Sequence, residues 1–262
     1  MVFGKEVRLN RILENGKMLC VPMDHGVTSG PIRGIDRIYE TIKLVEKGGA
    51  TAIILHKGII KNLTKPLKIG VIMHASASTI RSTQPNWKIQ VAMVEEAIRL
   101  GADAISVHVN IGGEDEQDML MKLGLIADEC DEWQIPLIAM MYPRGENIEN
   151  PRDPDVIAHV ARIGAELGAD IVKTSMPSFN PEDIKKITRS CPVPVVAAGG
   201  PKMENDRMVL ELAYAVIKGG GIGVTFGRNI FQHENPEAMT KALRAIIFEG
   251  KSVDEAMKIL RG

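Results

Sequence analysis

The chain has 262 residues, 45% hydrophobic and 25% charged, a balance that supports a folded core and excludes disorder as a description of the whole. Thirty-two Lys and Arg stand against thirty-three Asp and Glu, leaving a formal charge of −1, and only 4% of residues are aromatic, so nothing favours a nucleic-acid partner. Three widely spaced cysteines, Cys20, Cys130 and Cys191, form no Cys-x-x-Cys pair and suit a reducing, cytoplasmic setting, while the charge-broken N-terminus and the lack of any long uncharged apolar run argue against secretion and membrane insertion.

In chain order, periodicity predicts a short helix over 5–14, a strand over 18–24 and a helix over 35–47. Strands follow at 51–56 and 69–74, then a polar segment, 75–87, expected to be a mobile loop, and a helix at 88–100. The remaining strands are 103–109, 136–142, 170–174, 194–198 and 222–226, separated by helices at 115–132, 154–167, 181–189 and 204–218, with helices 236–248 and 252–260 closing the chain. Asp153-Pro154 and Asn180-Pro181 open helices, and Gly48, Gly101, Gly168 and Gly219 close them. Weak repeats such as RLGADAISV and ELGADIVKT each read as helix end, glycine and buried strand. Eight strands alternating with helices predict an α/β fold, a single (β/α)8 TIM barrel forming one domain over 1–262. Pro22 fits this awkwardly, because a closed barrel has no free edge.

Barrel chemistry sits where strands end, and these ends are polar: Asp24-His25, His56-Lys57, His74, His108, Asn110, Tyr142, Arg144 and Lys173. Side chains two apart share a strand face, so aligning Gly101-Ala102-Asp103 with Gly168-Ala169-Asp170 puts Ser106 and His108 on the face of Lys173, and His56 joins them. A lysine on a buried strand loses hydration, which lowers its pKa and makes the amine a nucleophile for carbonyl carbon, the chemistry of a Schiff base. The structural alternative is a lysine that snorkels to solvent or pairs with a carboxylate. Lys57 is the rival, on the other parity or already in the loop, where it would contact phosphate or solvent. Asp24 either handles a proton or caps its loop, and Tyr142 either supplies an acid/base hydroxyl or packs over the barrel.

The loops Gly199-Gly200-Pro201-Lys202 and Gly227-Arg228-Asn229 follow the last two strands, where barrels commonly bind phosphate through backbone amides that a Cβ would obstruct. No His-x-His or His-Glu-x-x-His occurs, so the rim histidines are read as hydrogen-bonding groups and neither a metal nor another cofactor is expected. A metal-dependent aldolase or hydrolase and a non-catalytic sugar-phosphate-binding barrel remain as alternatives.

Five blocks carry a family resemblance: Val21-Pro22-Met23-Asp24-His25-Gly26 with Gly30-Pro31, His56-Lys57-Gly58, Met140-Met141-Tyr142-Pro143-Arg144-Gly145, Ala198 through Lys202, and Gly227 through Gln232. Together, from about Val7 to the C-terminus, the chain resembles the class I aldolases that include deoxyribose-phosphate aldolase and archaeal-type fructose-1,6-bisphosphate aldolase. It is most similar to the branch that makes 2-amino-3,7-dideoxy-D-threo-hept-6-ulosonate. The resemblance implies a Schiff base on Lys173, proton transfer by Asp24 and Tyr142, and a phosphorylated ketose and an aldehyde as small-molecule partners. Substrate contacts would come from His25, Lys57, Arg144, Gly199, Gly200, Lys202, Gly227 and Arg228. It also implies a ring-based homo-oligomer without metal. Two departures stand at the mouth: Met176-Pro177-Ser178 replaces Tyr-Thr-Gly, and Ser76-Ala77-Ser78 replaces a Gly-Gly pair. Both bear on substrate choice more than on the chemistry.

Overall fold

Eight parallel strands close into a barrel in the computed structural model, which describes residues 3–262. They are β1 (Met18–Pro22), β2 (Ala52–Leu55), β3 (Gly70–His74), β4 (Ala104–Ile111), β5 (Leu137–Pro143), β6 (Ile171–Thr174), β7 (Val195–Ala198) and β8 (Gly223–Thr225). They pair in chain order, and β8 returns against β1 through Met18 opposite Gly223 and Cys20 opposite Thr225. All eight expected strands are present, with helices between most of them, so the fold is the (β/α)8 barrel read from the sequence. Among the described residues no helix is long and apolar enough to cross a membrane.

Each strand is buried on both faces, which is why it reads as a nearly continuous apolar run. One set of residues, including Leu19, Ile53, Met73, Val107, Met141 and Val172, packs outward against the helices. The alternate set, including Cys20, Ile54, Ile72, Ala104, Ile138, Met140 and Ile171, fills the barrel interior. The N-terminal helix Phe3–Ile12 plugs the floor, where Ile12 joins that inner cluster and the Lys5 ammonium lies 2.9 Å from Asp170. The repeat has a bonding reason. Asp103 and Asp170, equivalent in the Gly-Ala-Asp segments, each accept the first free amide of the preceding strand, Val71 N–H at 2.8 Å and Leu137 N–H at 2.7 Å.

Helix starts follow the sequence signals. Asp153 and Asn180 accept the amides of Asp155 and Glu182, each with proline at the first helical position. Gly101 and Gly168 stand one residue beyond the caps Leu100 and Leu167, at φ +75° and +97°, a left-handed turn that favours glycine. The Pro22 difficulty also resolves. Met18 donates to Ile222 and Cys20 accepts from Phe226, so even-numbered residues of β1 face β8, and the nitrogen of Pro22 falls past Thr225, where β8 has ended.

One expectation fails. Within the otherwise irregular segment 75–87, Ser76–Ala77 pairs with Ile89–Gln90 from the expected helix 88–100 in a small antiparallel ribbon, and the helix begins only at Val94. Short helices at His25–Ser29, Lys57–Lys61 and Arg228–Phe231 are also present without a sequence signal, being too brief for a period to register.

Candidate active site

A cavity of about 960 Å³ opens at the C-terminal ends of the strands. Lys173 rises from the middle of β6 into its floor on the inward parity, with the residue only 6% exposed. Its register partner across β5 is Met140, and its nearest polar contact is the Met140 sulfur at 3.8 Å. Among the described residues no carboxylate lies within ion-pair distance of the amine, so Lys173 neither snorkels out nor serves in a structural salt bridge.

Asp24, just beyond β1, is the one carboxylate lining this cavity among the described residues. Its Oδ1 stands 3.5 Å from His25 Nδ1 and its Oδ2 stands 3.7 Å from His74 Nε2, and Oδ1 is buried without a hydrogen-bond partner. Burial works to raise its pKa, but His74, His25, Lys173 and His56 outweigh that and hold the carboxyl below its usual range. Burial also lowers His25 and His56 and takes His74 down to about 3. Those rings are neutral at pH 7, and Asp24 shares the cavity with Lys173.

His74 is fixed from its other side by a 2.9 Å contact between Nδ1 and Ser106 Oγ. His108 Nε2 contacts Asn110 Oδ1 at 2.8 Å, and the His108 ring lies 4.9 Å from that of Tyr142, which lines the cavity one inward step above Met140. The parity argument thus holds for Lys173, Ser106, His108 and His56. Among the described residues no three His, Cys, Asp or Glu side chains converge to hold a metal ion.

The buried histidine carries a pH signature. An unfolded chain protonates His74 near its ordinary 6.5, whereas the folded protein resists until about 3, so the unfolded state gains the extra proton and stability falls as pH drops through that window. The slope contributed is at most about 1.4 kcal/mol per pH unit. Asp24 adds its own loss below its ordinary 3.8, because its folded pKa is depressed. Denaturant midpoints at pH 7, 5.5 and 4 are expected to fall steeply for the wild type and less so for His74→Gln. Equal slopes would remove His74 as the source.

The glycine loops meet at the opposite wall. A Cβ on Gly227 would stand 2.8 Å from the Pro22 carbonyl and 2.9 Å from His25 Cε1, so only glycine lets this loop close against β1. Arg228 follows it, its buried Nε without a partner. Asn229 staples the two loops, donating to the Gly199 carbonyl at 2.9 Å and accepting the Met203 amide at 2.8 Å, while Lys202 reaches the Gln232 carbonyl at 3.2 Å. His25, Arg144, Gly199, Gly200 and Lys202 line the cavity together with Gly227 and Arg228.

Lys57 does not reach the cavity. It begins the helix after β2 and its ammonium pairs with Glu96 at 3.1 Å, because the turn that follows His56 carries it outside the inward row. Sequence reasoning also missed Lys88, a cavity-lining ammonium at the start of what read as a helix, and Asn229, whose stapling role no spacing discloses. In all, Lys88, Arg144, Arg152, Lys173, Lys202 and Arg228 oppose the single carboxylate of Asp24, so the cavity is built for an anionic ligand.

A family model described as DeoC/LacD family aldolase matches residues 18–233, which span all eight barrel strands and both glycine loops. The chain belongs to the DeoC/LacD aldolase family. Relatives from this family include a 2-amino-4,5-dihydroxy-6-oxo-7-(phosphonooxy)heptanoate synthase of Streptomyces griseus, 38% identical over 94% of this chain and 90% of that protein. Another is 2-amino-3,7-dideoxy-D-threo-hept-6-ulosonate synthase 1 of Archaeoglobus fulgidus, 39% identical over 98% and 96%. Among solved structures, a Schiff base-forming fructose-1,6-bisphosphate aldolase superposes with a TM-score of 0.87 at 25% identity, covering 94% of this chain and 100% of that one. An archaeal fructose-1,6-bisphosphate aldolase, solved with its catalytic lysine bound to the carbinolamine intermediate, gives a TM-score of 0.86 at 26% identity, covering 93% and 99%. Both solved neighbours share the barrel of this chain, and the second carries its reaction intermediate on a lysine.

Proposed function

We propose that Lys173 is the Schiff-base lysine of a class I aldolase that moves a fragment of a phosphorylated ketose onto an aldehyde. The amine adds to the ketone carbon neighbouring the C3–C4 bond and water leaves. As that bond breaks, the iminium nitrogen takes up its electron pair and a base removes the proton of the hydroxyl at the far carbon, releasing an aldehyde. The enamine left on Lys173 attacks the carbonyl carbon of a second aldehyde, the new alkoxide is protonated, and water hydrolyses the iminium. Asp24, ionised in the same cavity, is the base; Tyr142 is the hydroxyl on the same inward face that returns the proton. The glycine loops with Arg228 and Lys202 hold phosphate.

The buried amine at the floor of a cation-lined cavity, unpaired and sharing that cavity with one carboxylate, carries this reading. The names of the two heptanoate-type relatives describe seven-carbon products with a carboxylate and a 2-amino group at one end and a ketone at carbon 6. For this chain both support aspartate semialdehyde as acceptor, and the 7-deoxy product of the Archaeoglobus relative supports 6-deoxy-5-ketofructose 1-phosphate as donor, whose C4–C6 fragment ends in a methyl, whereas the Streptomyces product keeps a phosphate on carbon 7. The solved neighbours support a second reading, reversible cleavage of fructose 1,6-bisphosphate.

Borohydride reduction with each donor, followed by peptide mass analysis, tests both. The expected result is a Lys173 adduct from 6-deoxy-5-ketofructose 1-phosphate and product formation that depends on aspartate semialdehyde. An adduct and aldehyde release from fructose 1,6-bisphosphate alone would establish the lyase instead. No adduct from either would end the substrate assignment.

A further inference from the structure

Lys88 is only 8% exposed, yet among the described residues no carboxylate pairs with it. Its ammonium donates to the Ser78 hydroxyl and, at 2.9 Å, to the Pro85 carbonyl, which leaves one of its three hydrogens unspent. A second buried lysine, Lys122 of the helix Glu116–Trp133, sets its backbone in place by donating to the Lys88 carbonyl at 2.5 Å and the His108 carbonyl at 3.1 Å. An unpaired ammonium buried this deeply is costly, and the cost is removed when a ligand brings the opposite charge.

The barrel order decides where that charge lies. Lys88 immediately precedes Ile89 of the ribbon between β3 and β4, and in the closed ring this position is diametrically across from β7 and β8, whose glycine loops carry Arg228. The cavity therefore has two cationic poles with Lys173 between them and Arg144 lending charge to both, since its field lowers the pKa of Lys88 and of Arg228 alike.

We infer that Lys88 is the specificity-determining residue that binds the carboxylate of the incoming aldehyde. This rests on the transfer reading given above. A single unspent N–H suits one carboxylate oxygen, whereas a phosphate dianion wants the several donors that the opposite pole supplies. Burial, with Arg144, brings the Lys88 ammonium down to about 8, which leaves most of it charged at neutral pH.

The test compares aspartate semialdehyde with butanal as acceptors. In Lys88→Met the preference for the semialdehyde in kcat/KM is expected to fall about 10- to 100-fold, mostly through KM, as for a lost charge-assisted bond. Borohydride trapping of the donor on Lys173 should stay within about threefold of the wild type, and Lys88→Arg, which keeps the charge, should retain most of the preference. Equal losses for both acceptors, loss of donor trapping, or loss of preference in Lys88→Arg would overturn the inference. If the wild type does not turn over the semialdehyde at all, the transfer reading has failed. Calorimetry with L-homoserine, the unreactive alcohol analogue, then still reports on Lys88. Binding weakened at least about tenfold by Lys88→Met supports the carboxylate subsite, and equal or absent binding refutes it.

Discussion

Replacing Lys173 by Met is expected to lower turnover by about 10⁵-fold or more, because no other cavity amine is placed to form the covalent intermediate. Arg144, Arg152 and Arg228 are not nucleophiles at neutral pH, Lys88 is held away beside the ribbon by Ser78 and Pro85, and Lys202 is tied to the Gln232 carbonyl in the glycine-loop wall. The fold should survive. Met has nearly the same length, and the substitution removes only a weak polar interaction with the Met140 sulfur at 3.8 Å. A melting temperature within a few degrees of the wild type, together with loss of every borohydride adduct, is the expected pair of results. Residual turnover within about 100-fold of the wild type would remove Lys173 from the mechanism.

Asp24→Asn is expected to lower kcat by about 10² to 10⁴-fold, the range for removing a positioned base. Asn keeps the shape but cannot accept the substrate proton, and among the described residues the cavity has no second carboxylate to substitute. Since amine addition precedes C–C cleavage, the variant should still trap a donor adduct on Lys173 while failing to release aldehyde. If trapping fails to the same extent as turnover, Asp24 instead acts by positioning the lysine. The variant also separates the carboxylate from the histidines in acid sensitivity, because the loss of stability below the ordinary carboxyl range should shrink while the window of His74 and the other buried histidines persists.

Much of the site is legible in the sequence, and for a local reason. Side chains alternate strictly along a strand, so two repeats sharing Gly-Ala-Asp suffice to place Ser106 and His108 on the face of Lys173, and the barrel interior contains those residues. Proline and glycine punctuation locates the helices for a similar reason, since each residue acts on its own backbone. The glycine loops after β7 and β8 and the polar strand ends are visible in the same way.

Lys57, Lys88 and Lys122 show where such reading stops. Lys57 follows a strand end, Lys88 and Lys122 stand in segments with helical spacing, and nothing in their one-dimensional surroundings tells their fates apart. Lys57 turns outward to Glu96, while Lys88 is buried by a ribbon and pinned through its own carbonyl by Lys122, 34 residues further along the chain. Composition, alternation and local punctuation therefore determined the barrel, its eight strands and the lysine in its floor, because those depend on each residue and its near neighbours. Which charges surround that lysine was decided only by closure of the ring, which brings β3 and β4 opposite β7 and β8 and leaves some ammonium groups buried without a partner, since burial and pairing depend on segments remote in sequence.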